Sequence, residues 1–388
     1  MIKTPFVLLC AGEDSGDVLG EGFVSAVLQS GLKACGAGGS RMLRAGLEPL
    51  IDFEELPVSG FGDVLPRYFR LRKLYNVMSA ALRSPECVAF VAIDYPGFNM
   101  GLTILAKKLN KPVLYVAPPQ VWAWKHSRAK KLQGVKLAVL FEFEKEVYEK
   151  YGCNVGLLRH PFAESSSEQP RTLGLQQSLE QSRPSAENAF LLLPGSRQSQ
   201  ALRNLNFYLN IVKFGKKNPI KILAARASLV TPFEKCLKLF FDGAVPEGFS
   251  VQVVPTNAKD RAQLFASACG ALAAPGTATL ELSLSACPLV VATVPDRLTY
   301  AMGKMFVRTD SFAMPNILLQ QKVISEFIAP SGACKTNVRG GIFEQILSAL
   351  ENCKKDSAIK IAESLRQKLQ GGKLPLEFLG QVLQREAH

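Results

Sequence analysis

The 388-residue sequence is poor in the side chains that most often build metal centres and hydrolytic triads. It contains three histidines, and none has a partner at metal-ligand spacing. Neither an Asp-x-Asp nor a Gly-x-Ser-x-Gly motif occurs. Glu13, Asp14 and Asp17 cluster in sequence, but capping of a helix explains them more simply than a bound cation. We therefore expect catalysis without a metal or a cofactor.

The sequence also lacks long apolar runs and paired cysteines. No stretch approaches the ~20 uninterrupted apolar residues of a membrane span. Residues 1–5 lack the basic start and apolar core of a secretory signal. The nine cysteines are scattered, odd in number and without a Cys-x-x-Cys pair, which favours reduced, buried thiols. These features predict a cytoplasmic chain that can still sit on a surface.

Acidic residues are the minority among the charged side chains. Lysine and arginine number 46 against 33 aspartates and glutamates, which gives a net charge of +13. Such an excess suits an anionic partner: nucleic acid, a phospholipid surface or a phosphorylated substrate. Nucleic acid is the weakest of the three, because no recognised nucleic-acid motif accompanies the charge.

Two glycine-rich turns, at residues 11–17 and 191–197, each follow an apolar run that is typical of a buried strand. A strand that ends in glycines and leads into a helix presents unpaired N–H groups to a phosphate. Two such turns predict two nucleotide-fold-like halves that face each other across a cleft, and hence an α/β enzyme.

Apolar runs alternate with helical patterns in both halves, which predicts doubly wound, mostly parallel sheets. We predict the first helix over 20–29. The candidate strands are 6–10, 88–93, 112–116 and 136–141 in the first half and 190–193, 220–224, 249–254, 270–273 and 289–293 in the second. The 47% apolar composition suffices for two cores. We predict a first domain over 1–165, a polar linker over 166–188 and a second domain over 189–355. Residues 356–388 form a helical segment that packs back on the first domain.

Residues just after parallel strands are the candidates for chemistry, because ligands bind beyond the carboxyl ends of such sheets. Asp94 follows the apolar run 88–93. It is either a general base that takes a proton from an acceptor hydroxyl or an aspartate that caps the following turn.

The second half offers candidates for binding a diphosphate. Gly276 and Thr277 can present N–H groups, with Thr277 as the N-cap of a helix. Glu281 then either holds ribose hydroxyls or complements the helix dipole. Ser196 and Arg197 follow the run 190–193, and Arg197 is either a phosphate ligand or a surface arginine.

Two further stretches combine aromatic and basic groups. Trp122 and Trp124 suit a sugar or a base, although large aromatics more often pack in a core. Residues 61–75 alternate apolar and basic side chains, which suits either an anionic leaflet or a core helix with solvated arginines. The residues that would face the membrane are Val64, Leu65, Arg67, Phe69, Arg70, Arg72 and Lys73.

Seven short motifs follow one another in a specific order. They are AGExSGD at 11–17, IDxPxFN at 93–99, VWAW at 121–124, HP at 160–161, LPGSR at 193–197, GTATLE at 276–281 and PN at 315–316. In this order they closely resemble the lipid-A-disaccharide synthases, inverting glycosyltransferases of the two-Rossmann-domain (GT-B) class. The resemblance spans nearly the whole chain.

The resemblance implies a step of lipid A biosynthesis. UDP-2,3-diacylglucosamine donates its sugar to 2,3-diacylglucosamine 1-phosphate (lipid X), which gives a β-1′,6-linked lipid A disaccharide 1-phosphate and UDP. It also implies a metal-independent enzyme, peripheral on the inner face of the inner membrane of a Gram-negative cell. Homodimers of the family can exchange their C-terminal segments.

The resemblance also assigns roles to residues. Asp94 matches the proposed catalytic aspartate, and the Gly276–Thr277 turn matches the contact with the diphosphate. We assign Arg197, Glu281, Asn316, Ser196 and His160 to the donor site. We assign to the acceptor side of the cleft Glu13, Ser15, Asn99, Trp122 and Trp124.

The chain departs from the usual family pattern at several positions. The family commonly has Asp at Gly97, Gly at Arg159, Glu at Gln200 and Ser at Pro275. The alternatives to the main assignment are another UDP-sugar enzyme, such as an epimerase or a murein-precursor transferase, and a degenerate homologue that binds without catalysis.

Overall fold

The structure is a computed structural model. It describes residues 4–56, 64–119, 121, 127–162, 188–213, 218–295, 311–329 and 341–384, with the backbone alone at 64–68 and 127. The chain divides into two compact units. The first unit comprises residues 1–161 and 370–388, and the second comprises 162–369. Most of the predicted linker, 166–188, lies outside the described residues.

The first unit is built on a parallel sheet of seven strands in the order β3-β2-β1-β4-β5-β6-β7. Side chains alternate between its two faces, as the period of a strand requires. In β1, Phe6 and Leu8 enter one core while Val7 and Leu9 enter the other. The strands are β1 (Phe6–Ala11), β2 (Lys33–Ala37), β3 (Glu48–Pro49), β4 (Cys87–Ile93), β5 (Val113–Val116), β6 (Lys136–Val139) and β7 (Asn154–Leu157).

Helices flank both faces of this sheet, as in a doubly wound fold. The first helix begins at Asp14, whereas we predicted a start at residue 20. Gly20 lies within this helix. The position requires glycine, because a Cβ there would be 2.3 Å from Sδ of Met42, on the next helix. The helices of this unit are Asp14–Gln29, Ser40–Arg44, Val64–Arg83, Pro96–Lys108, Ser127–Lys131, Glu142–Glu149 and Pro375–Leu383, with a 3₁₀ turn at Phe53–Glu55.

The second unit repeats this plan with six parallel strands in the order β10-β9-β8-β11-β12-β13. The strands are β8 (Phe190–Leu193), β9 (Ile220–Ala224), β10 (Phe249–Val253), β11 (Gly270–Ala273), β12 (Leu289–Thr293) and β13 (Glu326–Ile328). The helices are Gln198–Val212, Val230–Phe240, Ala258–Ser267, Thr277–Leu284, Met314–Leu319, Ile342–Asn352 and Lys355–Leu369, with a 3₁₀ turn at Ala227–Leu229. The predicted α/β class with two Rossmann-like sheets is confirmed.

The C-terminal segment is divided between the two units. Helix Lys355–Leu369 belongs to the second unit, where Arg366 donates to the carbonyl of Leu284 at 2.6 Å. Helix Pro375–Leu383 packs on the first unit and buries Phe378 in its core. We predicted that all of 356–388 packs on the first domain, whereas in the structure the chain returns only at residue 370. The reason is that helix Lys355–Leu369 buries its apolar side in the second unit.

Within the described ranges, no helix combines the length and the apolar character needed to cross a bilayer. The cysteines of those ranges are free thiols. Burial raises the pKa of the Cys35 and Cys87 thiols to about 11, so both remain protonated at neutral pH.

Candidate active site

The first part of the candidate site lies where the strand order of the first sheet reverses. The chain leaves β1 toward β2 on one side and later returns as β4 on the other side of β1. Parallel α/β sheets bind ligands beyond the strand ends at such a reversal. Gly12 follows β1 and Asp94 follows β4, so two of the sequence motifs meet there.

Asp94 and Ser15 are in direct contact at this point. The Ser15 hydroxyl donates to Oδ2 of Asp94 at 3.3 Å, although 79 positions separate the two residues. Both side chains are half-buried. A carboxylate has two oxygens and several acceptor positions, so the hydrogen bond from Ser15 orients Asp94 without exhausting its ability to accept a proton.

The backbone that carries Asp94 has an unusual conformation. Asp94 and Tyr95 both have left-handed φ angles, of +49° and +48°. Each costs about 1–2 kcal/mol for a non-glycine residue, so neighbouring groups must hold the turn in place. Tyr115 donates to the carbonyl of Asp94 at 3.1 Å, and Tyr95 donates to that of Leu56 at 2.5 Å. Burial, aided by the Asp94 charge, raises the pKa of Tyr115 well above its ordinary value, so this phenol stays a donor.

Gly12 is explained by packing against this turn. A Cβ at Gly12 would lie 2.2 Å from Cδ1 of Tyr95, so any larger residue would displace the ring. We predicted that the first glycine turn suits a phosphate. In the structure the glycine serves the close approach of Tyr95.

The acidic residues near this turn have structural partners. Glu13 is the half-buried N-cap residue of helix Asp14–Gln29. Asp17 accepts hydrogen bonds from the N–H groups of Arg41 and Met42, each at 3.0 Å, so it caps a neighbouring helix rather than its own. In the described part of the chain, no group of three or more His, Cys, Asp or Glu residues could hold a metal ion.

Asn99 lies beneath the turn rather than on the surface of the site. It is 0% exposed and belongs to the first turn of helix Pro96–Lys108. Its Nδ2 atom donates to the carbonyl of Asp94 at 2.9 Å. We predicted a contact with the acceptor, whereas burial directs this amide to the backbone.

The remaining predictions for the first unit concern Trp122, Trp124 and His160. Both tryptophans lie outside the described residues. His160 is 4% exposed, and burial lowers its pKa to about 4, so it is neutral at pH 7. Its ring stacks on Phe141 with the centroids 6.1 Å apart. Its assignment to the donor site stays a prediction.

The second part of the candidate site lies at the matching reversal in the second sheet, between β8 and β11. Ser196 and Arg197 follow β8, while Gly276 and Thr277 follow β11. The two strand ends are joined where the N–H of Ala274 donates to the carbonyl of Leu193 at 2.8 Å. The fold therefore brings the predicted diphosphate ligands to one edge of the second sheet.

The turn after β11 requires glycine. Gly276 has φ +149° and is the N-cap residue of helix Thr277–Leu284, so Thr277 is the first helical residue and not the cap that we predicted. The Thr279 hydroxyl donates to the carbonyl of Gly276 at 2.7 Å. The first N–H groups of this helix have no acceptor within the helix, which suits them to an anion.

Two arginines lie at the turn after the neighbouring strand β8. Arg197 is exposed and is the N-cap residue of helix Gln198–Val212. Arg226, which follows the neighbouring strand β9, donates through Nη2 to the carbonyl of Ser196 at 3.1 Å. Sequence reasoning missed Arg226, although its place just after a strand was a signal.

Glu281 forms an ion pair with Arg261, which sequence reasoning also missed. Arg261 is 5% exposed, and its Nη1 donates to the carbonyls of Pro255 at 2.9 Å and Thr256 at 3.2 Å. The carboxylate is therefore held by a buried cation that is itself fixed to the loop after β10. We had weighed only ribose binding and a dipole interaction for Glu281.

The other predicted donor residue, Asn316, braces a loop. It is 1% exposed, and its Nδ2 donates to the carbonyl of Ile324 at 2.8 Å. Its Oδ1 accepts from the N–H groups of Val323 and Ile324, each at 2.9 Å. These contacts stabilise the chain before β13, and the donor contact of Asn316 stays a prediction.

A buried asparagine supports the turn that carries Ser196. Asn204 is 0% exposed, and it donates to the carbonyl of Pro194 at 2.9 Å. Its Oδ1 accepts from the N–H of Val294 at 2.8 Å, just after β12. Nothing in the sequence distinguished Asn204 from a solvated helix residue.

Helix Val64–Arg83 carries an exposed aromatic and basic surface. Phe69 is 63% exposed, while Leu74 and Met78 on the same helix are buried. The side chains of Val64, Leu65 and Arg67 lie outside the described residues. We call the exposed group of Phe69, Arg70, Arg72 and Lys73 the basic surface.

The family model described as lipid-A-disaccharide synthetase matches residues 7–373. The lipid-A-disaccharide synthase of Coxiella burnetii (strain Dugway 5J108-111) is 32% identical over 330 residues, 83% of this chain and 84% of that protein. Lipid-A-disaccharide synthase 2 of Legionella pneumophila (strain Paris) is 32% identical over 380 residues, 93% of each chain. The chain belongs to the lipid-A-disaccharide synthase family. The family resemblance found in the sequence is confirmed, and the chain is a glycosyltransferase.

Solved structures agree on the fold. A glycosyltransferase from Rickettsia africae matches with a TM-score of 0.53 at 12% identity, covering 99% of each chain. UGT89C1 of Arabidopsis thaliana, in a crystal structure with UDP, matches with a TM-score of 0.54 at 12% identity. That match covers 99% of this chain and 100% of the plant enzyme. At such identity these likenesses establish the shared GT-B fold.

The departures from the lipid-A-disaccharide synthase pattern lie in helices and loops of the described residues. Gly97 is exposed, and a Cβ there would meet no atom within 4 Å. Arg159 is exposed and uses its backbone N–H to bind the carbonyl of Lys373 at 2.9 Å. The Gln200 amide donates to the Thr293 hydroxyl at 3.3 Å, and Pro275 is half-buried. None of these residues interrupts a strand.

Proposed function

We propose that this chain transfers 2,3-diacylglucosamine from UDP-2,3-diacylglucosamine to 2,3-diacylglucosamine 1-phosphate, with inversion. The products are the β-1′,6-linked lipid A disaccharide 1-phosphate and UDP. Membership of the lipid-A-disaccharide synthase family over residues 7–373 carries the proposal. The position of the two motif groups, each at the strand-order reversal of its own sheet, supports it.

Asp94 acts as the general base in this reaction. It takes the proton from the 6-hydroxyl of the acceptor while that oxygen attacks the anomeric carbon of the donor. The bond between that carbon and the diphosphate oxygen breaks, and the electron pair leaves with UDP. The contact with Ser15 and the fixed turn support this role, because a general base must be held within hydrogen-bond reach of its substrate.

The second unit stabilises the leaving diphosphate. The backbone N–H groups at Gly276 and Thr277 and the guanidinium of Arg197 neutralise the charge that develops on UDP. Ser196 adds a hydroxyl beside Arg197. Glu281, held by Arg261, accepts hydrogen bonds from the ribose hydroxyls.

Arginine and helix N-termini supply this stabilisation in place of a divalent cation. We therefore expect activity to persist when the enzyme is treated with EDTA. Loss of turnover in EDTA that Mg²⁺ restores would contradict metal independence.

The reaction is tested by incubating the purified chain with diacylated donor and acceptor and separating the products by thin-layer chromatography. We expect a disaccharide that requires both substrates. Turnover of UDP-N-acetylglucosamine alone would favour the epimerase or murein-precursor alternative. Absence of both turnover and UDP binding in calorimetry would favour a degenerate homologue, whereas UDP binding that Arg197→Ala abolishes would count against it.

The substrates carry acyl chains, and we infer that the chain works as a peripheral protein on an anionic leaflet. The basic surface supports this, because exposed Phe69 can insert between lipids while Arg70, Arg72 and Lys73 meet their phosphates. Tyr75, two residues beyond Lys73 on the same helix, packs edge-on against Phe98 with the centroids 5.7 Å apart. Since helix Pro96–Lys108 begins beside Asp94, the basic surface lies toward the same end of the first unit as the predicted base.

A homodimer with exchanged C-terminal segments stays a proposal that rests on the family. The candidate segment is the part of the chain that contains helix Pro375–Leu383. Its Phe378 and Leu379 are 0% exposed within the first unit. Light scattering of the purified chain measures the oligomeric state directly.

A further inference from the structure

One side chain joins the two strand ends that form the first part of the candidate site. Nδ2 of Asn99 lies within hydrogen-bond distance of three backbone carbonyls: Cys10 at 2.9 Å, Ile93 at 3.1 Å and Asp94 at 2.9 Å. Cys10 belongs to β1 and stands two residues before Gly12, whereas Ile93 ends β4. The amide therefore links the loop that leads to Ser15 with the turn that presents Asp94.

The chemistry of this position explains why it is an amide. The side chain is 0% exposed, so a charged group would lose its hydration without a partner ion. An amide nitrogen offers two N–H donors from one neutral atom, while a carboxylate would place acceptors against acceptors. Oδ1 of Asn99 has no hydrogen-bond partner among the described residues. An unsatisfied buried oxygen is unfavourable, so the nitrogen contacts account for the residue.

The turn that Asn99 supports is one that an L-residue adopts reluctantly. Asp94 and Tyr95 are both left-handed, with φ of +49° and +48°. The carbonyl of Asp94 accepts from Asn99 and from the Tyr115 hydroxyl, while its N–H donates to Val116 at 2.9 Å. Tyr115 and Val116 hold the turn to β5. Asn99 adds the connection to β1, on the opposite side of β4.

We propose that Asn99 is a positioning residue for Asp94. It keeps the turn in its left-handed form and sets the separation between the Asp94 carboxylate and the loop that carries Ser15. This inference rests on the proposed function, in which Asp94 is the general base. Asn99 itself, being fully buried, acts through the backbone.

The first test replaces Asn99 by leucine, which has a similar size and no donor. A shift of the base by about 1 Å costs on the order of 10²-fold in rate, so kcat should fall by that factor. KM for both substrates and the affinity for UDP should stay unchanged, because the second unit is untouched. A KM that rises while kcat is retained would overturn the proposal.

The chain offers a matched control on the same helix. Thr103 lies one turn after Asn99, is also 0% exposed, and its hydroxyl also has no described partner. Thr103→Val therefore removes a buried polar group without touching the strand ends. We expect its kcat and KM to match those of the unaltered chain. A loss equal to that of Asn99→Leu would show that any buried change in this helix has the same effect.

A double variant separates positioning from general damage. If Asn99 acts through Asp94, then adding Asn99→Leu to Asp94→Asn lowers kcat no further. An additional loss equal to that of the single variant would overturn the proposal. Should Asn99→Leu fail to fold, as judged by thermal unfolding, Asn99→Ser replaces it. Serine retains one donor, so the kcat of Asn99→Ser should lie between that of the parent chain and that of Asp94→Asn.

The two hypotheses fail in different ways. If Asp94→Asn keeps normal turnover, Asp94 is not the base and the proposed mechanism falls. If Asp94→Asn is impaired while folded Asn99→Leu or Asn99→Ser turns over normally, Asp94 remains the proposed base, and Asn99 is not a positioning residue.

Discussion

The two strand-order reversals share one topology but form their turns from different residues. In the first unit the turn after β4 uses non-glycine residues in left-handed conformations, Asp94 and Tyr95. At the reversal in the second unit, the turns after β8 and β11 have their positive φ angles at Gly195 and Gly276, of +113° and +149°. A reactive carboxylate needs a side chain in one fixed place. A diphosphate needs the backbone to come close, which a side chain would obstruct.

The charges follow the same division. The first reversal carries carboxylates, Asp94 and Glu13, whereas the second carries the guanidiniums of Arg197 and Arg226. This separation suits a displacement in which one group takes a proton and the other receives a negative leaving group. The following predictions test whether proton transfer and donor binding are divided between the units in this way.

The largest effect is expected for Asp94→Asn. The variant keeps the shape of the side chain but cannot take up the proton, so kcat should fall by ~10²–10⁴-fold. UDP affinity, measured by calorimetry, should not change. Asp52→Asn is the control, since Asp52 caps the 3₁₀ turn Phe53–Glu55 through Oδ1. Weakened UDP binding in Asp94→Asn would contradict the assignment of donor binding to the second unit alone.

Arg197→Ala should weaken UDP binding, which Asp94→Asn leaves unchanged, and it should also lower kcat because the guanidinium neutralises the leaving group. A hydrogen bond to a charged group contributes about 1.5–3 kcal/mol, so the affinity for UDP should fall by roughly 10- to 10²-fold. Lys235→Ala removes an exposed cation elsewhere in the second unit and should leave UDP affinity unchanged. If calorimetry finds Arg197→Ala and the parent chain equal, the exposed arginine is a surface residue.

The strand ends of this comparison were predictable from sequence, whereas the contacts that support them were not. The apolar runs 190–193, 220–224, 270–273 and 289–293 coincide with the bounds of β8, β9, β11 and β12. β2 was missed because its residues, KACGA, are mostly small and lack β-branched side chains. β13 was missed because it has three residues.

The same contrast holds for the candidate site. Asp94, Arg197 and Gly276 became candidates because each follows a strand or opens a helix, and those are local properties. Asn99 was a candidate from its motif and Asn204 was not, but both contact partners 89 and 90 positions away, so only the fold shows what they hold. The sequence pattern thus locates residues at a strand end, but it does not show which buried amide holds that end in place.

A smaller effect is expected at the basic surface. Each basic residue near an anionic leaflet contributes about 1 kcal/mol, so Arg70→Ser with Lys73→Ser should weaken vesicle binding by about 2 kcal/mol. Sedimentation with vesicles that contain phosphatidylserine measures this. The control pair is Lys235→Ser with Lys238→Ser in the second unit, which lies outside the basic surface. Equal sedimentation of the two double variants would show that the basic surface does not bind the membrane specifically.

The smallest effect concerns acid stability, where the units also differ. All three histidines fall within the residues of the first unit, and burial lowers the pKa of His160 to about 4. The unfolded chain, with an ordinary histidine pKa near 6.5, therefore binds more protons between pH 6.5 and 4 than the folded chain. Stability is lost as pH falls through this window, by about 1 kcal/mol between pH 7 and 5.5.

Urea unfolding followed by tryptophan fluorescence reports on this unit, since Trp122 and Trp124 both belong to it. His160→Gln should reduce the loss between pH 7 and 5.5, because glutamine does not titrate. If the variant loses as much stability as the parent chain, other groups control the acid response. In that case the buried histidine does not distinguish the first unit from the second, and the difference between them is confined to the two strand-order reversals.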